Sequence, residues 1–325
     1  MKRNTDLDFI RAILIVLMIL IHIVSFGNAY PQLKAGILSF MMPTFLIITG
    51  YLVNIEKTGR QMGNYLKCLA LPYVIMVTGF SVLSYFMPVR DGITELSLSQ
   101  IGEKIFITSI GPYWFIQTMI ICGTLYYFCF SGRNWNDLRK NYTKRDTYAS
   151  LFVFALTLLL ISETPALSAS AAAYYFIGVV IRQSKTEWNK LFRHEFFAII
   201  LWIYLLNHDD WYDWGSLAIV FSCWCCISSL MWIHSLIKRL QDNACVRKTE
   251  DTLLYIGRNT LPIYLFHPIF TMAAKFYHPL FSWDRSEIIF ALVTIFIAIA
   301  GSIGIAKMME KTHLAYLFGK GKILR

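Results

Sequence analysis

Asp8-Phe9-Ile10-Arg11-Ala12-Ile13-Leu14-Ile15-Val16-Leu17-Met18-Ile19-Leu20-Ile21-His22 is the stretch on which the reading of this chain turns. It lies in the first apolar run, Leu7 to Phe26, which is long enough to cross a bilayer as a helix. Arg11 and His22 are eleven positions apart. At about 100° per residue that is about three turns, so both point the same way, roughly 16 Å apart along the axis. Asp8 precedes Arg11 by one turn and can pair with it at i, i+3, and Ser25 follows His22 by one turn. The result is a polar line along an otherwise apolar helix. An Arg or Asp at the centre of a membrane helix costs roughly 2.5–3.5 kcal/mol, and such residues persist where they face protein or a water-filled cavity. The plain alternative is that Arg11 snorkels to the headgroups and His22 marks the far interface. Two ionisable groups in register, with Asp8 beside them, favour function.

Composition places the whole chain in the same class. Of 325 residues, 56% are hydrophobic and only 15% charged, with a mean hydropathy of +0.51. That is an all-α integral membrane protein of many helices. Aromatic residues make up 16%, as expected of interfacial belts. The seven cysteines are odd in number, form no C-x-x-C pair and mostly lie in apolar runs. They read as small buried hydrophobes, with neither a disulfide framework nor a metal site. Lys2, Arg3 and the apolar run that follows resemble a signal peptide. The length of the run, Arg11 at its start and the spans beyond it instead predict an uncleaved first span.

Working outward, apolar runs predict further spans near 36–53, 69–87, 105–130, 148–162, 168–181, 196–206, 215–237, 261–276 and 288–308. The run at 196–206 is short for a span, Pro112 lies in the 105–130 run, and Pro262 and Pro268 interrupt the run at 261–276. Ten spans make a single bundle over residues 1–325 with no soluble domain, and they put both termini on one side. Of the 30 basic residues, 25 then fall on that side; only Lys34, Arg90, Lys104, Lys275 and Arg285 lie opposite. The positive-inside rule makes both termini cytoplasmic. The same distribution accounts for the formal charge of +10 through loops facing anionic lipid, so no nucleic-acid partner is implied.

A neutral imidazole at His22, near the outer end of its span, suits a general base that takes a proton from an acceptor hydroxyl. Arg11, near the cytoplasmic end, suits an anionic cofactor such as a phosphate or pyrophosphate. Gly111-Pro112-Tyr113-Trp114-Phe115 reads either as a broken helix lining a cavity or as an aromatic belt. In Thr260-Leu261-Pro262-Ile263-Tyr264-Leu265-Phe266-His267-Pro268, a histidine between prolines needs a partner, and Tyr264 is one turn away. His267 reads equally as structural or as part of a site. The acidic, aromatic loop His208-Asp209-Asp210-Trp211-Tyr212-Asp213-Trp214 suits either sugar stacking or an ordinary solvated loop. His234 reads as packing or as an interface residue.

Taken together these stretches resemble a known family. Arg11, ten residues, then His22 is similar to the Arg-x10-His signature of the membrane acyltransferase-3 family. Phe45-Leu46-Ile47-Ile48-Thr49-Gly50-Tyr51 resembles its second-span F-x-x-S-G-F segment, Tyr113-Trp114-Phe115 its W-F segment, and Ile263 to Pro268 its Y-L-x-H-P segment. The order matches along essentially the whole chain. Thr49 stands where the family has Ser, and the arginine pair before the third span is reduced to Lys67 and Ala70, with Arg60 upstream.

The resemblance implies ten helices in a bacterial inner membrane, and an acyl-CoA donor, most simply acetyl-CoA. It implies O-acylation of an extracytoplasmic or lipid-linked glycan, without a metal. It makes His22 and Arg11 the residues of activity. Arg11, Arg60 and Lys67 are then expected to meet the CoA, with Asp8, Trp114, Tyr264 and His267 lining the site. A transporter or flippase of a glycan precursor is the competing reading, and an acyltransferase for a small non-glycan acceptor is another. Oligomeric state is not legible.

Overall fold

The apolar runs become helices because a backbone in lipid must satisfy every N–H and C=O within its own segment. The structure, a computed structural model, describes residues 4–86, 91–130, 144–207 and 217–325. It is 82% helical, with no strand among the described residues. In chain order the helices are α1 (Thr5–Ile21), α2 (Val24–Ala29), α3 (Pro31–Leu52), α4 (Gly59–Phe86), α5 (Leu98–Glu103), α6 (Trp114–Phe130) and α7 (Lys144–Ser162). There follow α8 (Ala169–Gln183), α9 (Trp188–Leu191), α10 (Phe197–Leu206), α11 (Leu217–Arg239), α12 (Ala244–Arg258), α13 (Thr260–Tyr277) and α14 (Ile288–Lys311). Among the described residues, six segments are long and apolar enough to cross a membrane: α3, α4, Gly111–Phe130, Arg145–Ser162, α11 and α14. The expected loop His208–Trp214 lies outside the described residues.

Three expectations are corrected. The run Leu7–Phe26 is not one helix: α1 stops at Ile21, His22 caps it, and Ile23 is extended before α2 begins. Ser25 therefore leaves the polar line. The run 105–130 is broken next to Pro112, the break that one reading of Gly111–Phe115 expected. A single wider turn, Lys104–Thr108, leads through Ser109 and Gly111, both at positive φ (54° and 55°), into a 3-10 turn and then α6. The freed carbonyls of the wide turn find side-chain donors: Tyr73 Oη gives to Ile105 O at 2.9 Å and Gln117 Nε2 to Ile107 O at 3.1 Å. Conversely, α13 runs through Pro262 and Pro268 without a break. Finally, α12 lies where only a loop was expected. Its pattern is amphipathic, with Glu250, Leu254 and Gly257 buried at i, i+4, i+7.

The helices fall into two units, residues 1–45, 186–312 and 322–325, and residues 46–185 and 313–321. In the first, α1 is the central element and packs on α11, α12, α13 and α14. Beyond its first two turns, which carry Asp6, Asp8 and Arg11, it is apolar on every side, and Leu7, Phe9, Ile10, Leu14, Ile15, Met18 and Ile19 are all buried, as a core helix requires. Asn4 caps it, its Oδ1 accepting from the Asp6 N–H at 2.9 Å, and Asp6 and Asp8 in the first turn complement the helix dipole. A Cβ on Gly257 would strike the Asp8 carbonyl, so glycine is what lets α12 lie directly on the α1 backbone.

The second unit has its own core around Met62, Cys122, Tyr126, Tyr127, Phe130, Phe154, Leu158, Tyr175 and Val179. Here Gly50 on α3 and Gly178 on α8 cross, each against the other helix's backbone. Small residues at such crossings let membrane helices approach closely. Phe152, Leu156, Leu159 and Leu160 of α7 remain exposed, a surface that lipid covers.

Candidate active site

The first unit brings Asp8, Arg11, His22, Tyr264 and His267 onto two neighbouring helices. Arg60 and Lys67 on α4, and Trp114 at the start of α6, belong to the second unit. Arg11 and His22 both turn toward α13. Arg11 Nη2 donates to Thr260 Oγ1, and the His22 ring stands 5.3 Å from that of His267. Because Thr260 and His267 ascend α13 as Arg11 and His22 ascend α1, the two helices run in the same direction. The Asp8 carboxylate is 3.9 Å from Arg11 Nη1, a loose ion pair, and the Arg11 side chain is 24% exposed.

His22 ends α1 through its own side chain. Its Nδ1 lies 2.7 Å from Met18 O, the carbonyl that its backbone N–H would take in a continued helix, while that N–H turns to Ile19 O at 3.1 Å. A carbonyl only accepts, so Nδ1 carries the hydrogen and, in the neutral ring, Nε2 keeps a lone pair. The ring is only partly buried. This is the arrangement a general base needs: one nitrogen fixed by the backbone, the other bare.

His267 repeats the device. Pro268 has no N–H to give the Tyr264 carbonyl, and His267 Nδ1 donates there instead, at 2.8 Å. That substitute bond explains how α13 passes Pro268 intact. The partner expected for His267 on Tyr264 is thus its backbone oxygen. Nε2 of His267 is fully buried and has no hydrogen-bond partner among the described residues.

Below Arg11, at the start of α1, lies a polar cluster that the sequence reading missed. His234 of α11 is wholly buried between two carboxylates, Nδ1 at 2.6 Å from Asp6 Oδ1 and Nε2 at 3.1 Å from Glu250 Oε1. Lys238 Nζ gives to the same Asp6 oxygen at 2.7 Å, Gln241 Nε2 to Glu250 Oε2 at 2.5 Å, and Phe9 stacks flat on the imidazole at 4.5 Å. The cluster ties α11 and α12 to the start of α1. Since α12 leads through buried Asn259 straight into α13, it also fixes where Thr260 meets Arg11. One signal was available in the sequence: Glu250 lies on the same helical stripe as Leu254 and Gly257. Thr260 stood in the quoted α13 stretch, but nothing there marked it as the partner of Arg11.

Comparison with known proteins adds one finding. No curated protein and no solved structure matches the chain. A family model described as "Acyltransferase domain" matches residues 4–307, which takes in α1, its capping histidine, α13 and nearly all of α14. The chain is a membrane protein and belongs to the acyltransferase-3 family.

Proposed function

We propose that this membrane acyltransferase moves an acetyl group from cytoplasmic acetyl-CoA to a hydroxyl of an extracytoplasmic or lipid-linked glycan. It works in a bacterial inner membrane, as a ten-span bundle with both termini cytoplasmic. The observation that carries the reading is His22, whose Nδ1–H is held by Met18 O while Nε2 stays bare and the ring partly open. In the reaction, the acceptor O–H gives its proton to His22 Nε2 as its oxygen bonds the acyl carbon and the C–S bond breaks. The departing thiolate then takes the proton. Arg11 holds an anionic part of the donor, oriented by Thr260 and Asp8. A planar guanidinium suits phosphate because it can give two parallel hydrogen bonds.

The test is transfer from radiolabelled acetyl-CoA into cell-envelope glycan, comparing wild type with His22→Ala at equal membrane levels. Label that depends on His22 supports both the activity and the base. Equal labelling removes His22 from the chemistry. No labelling in either protein, with the acceptor present, turns the search to another acyl donor and then to transport.

A further inference from the structure

Helices α12 and α13 meet with a single residue between them, Asn259, and the next residue is Thr260, the partner of Arg11. So short a junction has no slack. The backbone angles of Asn259 (φ −106°, ψ 26°) decide where α13 begins and hence where the Thr260 hydroxyl stands. The Asn259 side chain is wholly buried, and its Nδ2 gives to Tyr255 O at 2.9 Å, closing the end of α12. Its remaining capacity goes to a residue 66 positions away: Nδ2 also gives to Arg325 O at 3.2 Å, and Oδ1 accepts from the Arg325 N–H at 2.8 Å. One amide thus reads the N–H and the C=O of one residue together, as a neighbouring strand would.

The same stretch is held from a second side. Glu310, near the end of α14, accepts through one oxygen from the N–H groups of Ile323 at 2.6 Å and Leu324 at 2.7 Å. Bonds from N–H to a carboxylate are stronger than those to a neutral acceptor. The successive N–H groups of Ile323, Leu324 and Arg325 therefore all end on side chains of α14 and the α12–α13 junction, and Leu324 is buried beside them. All of these residues belong to the first unit.

We propose that Asn259 and Glu310 clamp residues 323–325 and so position Thr260, and through it Arg11, for the anionic donor. The inference rests on the reading of Arg11 as the group that holds the donor. Asn259 and Glu310 are positioning residues. With the stretch in place the junction keeps one direction; once it is released, α13 can start at another angle and the bond from Arg11 to Thr260 is made only part of the time. The consequence falls on donor affinity and spares the chemistry at His22, roughly 16 Å along α1 from Arg11.

The probe is coenzyme A, titrated against full-length purified protein in one detergent, with the donor KM and kcat measured in native membranes alongside. Glu310→Leu and Asn259→Ala should each weaken CoA binding and raise the donor KM roughly 3- to 10-fold, with kcat within about twofold of wild type. Glu310→Gln keeps a carbonyl oxygen for the two N–H groups and should bind CoA within about twofold of wild type. Added to Thr260→Val, Glu310→Leu should weaken binding no further, because a residue acting through Thr260 has nothing left to act on. A clamp that only stabilised the fold would lower the melting midpoint and leave the CoA affinity of the folded protein unchanged. Wild-type CoA affinity in Glu310→Leu and Asn259→Ala therefore overturns the proposal. So does a Gln variant as weak as the Leu variant, or a full further loss on top of Thr260→Val. No CoA binding by wild type, or an Arg11→Ala variant that binds CoA like wild type, overturns the reading of Arg11 on which the inference stands, results distinct from those at the clamp.

Discussion

Replacing His234 by Leu tests whether the buried cluster under α1 holds the first unit together. The ring is 0% exposed and of similar bulk to Leu, so little cavity opens. What is lost is one hydrogen-bonded partner for each of two buried carboxylates. Asp6 keeps Lys238 at 2.7 Å, but Glu250 keeps only the neutral amide of Gln241 at 2.5 Å and is left a buried carboxylate with no cationic partner in the cluster. Breaking a buried ion pair by removing one partner costs about 3–5 kcal/mol. Taking about 2–4 °C per kcal/mol, the apparent melting midpoint should fall by about 6–20 °C. The assay is thermal unfolding of purified protein in one detergent, at one scan rate, because membrane-protein unfolding is commonly irreversible. A control separates charge from packing: His234→Leu combined with Asp6→Asn and Glu250→Gln should recover at least half of the loss, since no carboxylate then lacks its counter-charge. A midpoint for His234→Leu within about 2 °C of wild type would refute the assignment, as would a triple variant less stable than the single.

Two further expectations follow from other contacts. Thr260→Val removes the oxygen that accepts from Arg11 and should raise the donor KM by about tenfold with kcat less affected, while Thr260→Ser should stay near wild type; steady-state kinetics with varied acetyl-CoA checks both. Asp284, in the turn before α14, accepts from the Ser286 hydroxyl at 2.7 Å and from the N–H groups of Ile289 at 2.8 Å and Phe290 at 3.0 Å. The Ser286 bond first, then the backbone ones, hold its carboxyl below the ordinary value. A lowered folded value means the contribution is complete above the unfolded value and is lost as pH falls through the folded one. Asp284→Asn should therefore flatten the acid-side decline of the melting midpoint and leave the neutral range little changed in slope. An unchanged acid limb would count against it.

The reach of sequence reading differs from element to element. Arg11 and His22 were placed on one face by counting residues alone, and both do meet α13. Helical period survives any environment that keeps the helix intact, so that inference needed no partner. The end of α1 was not legible, because it depends on a side-chain bond from His22 to Met18 O that competes with the backbone N–H. Pro268 misled in the opposite direction: a proline usually breaks a helix by orphaning a carbonyl, but here the preceding residue supplies the donor. Helix α12 escaped notice because hydropathy registers apolar runs, and α12 carries its apolar and small residues on one stripe only.

Sequence by itself determined the helical membrane class, the family, and the alignment of Arg11 with His22, because bilayer thickness and the 3.6-residue turn act locally on any stretch of chain. Tertiary structure alone decided which groups those residues meet: Thr260 for Arg11, His267 for His22, and Asp6 with Glu250 for His234. These partners are separated by 16 to 249 positions, or are brought together by Gly257 lying against the α1 backbone. Pairing of buried polar groups is set by which helices touch, and no local pattern of residues encodes that.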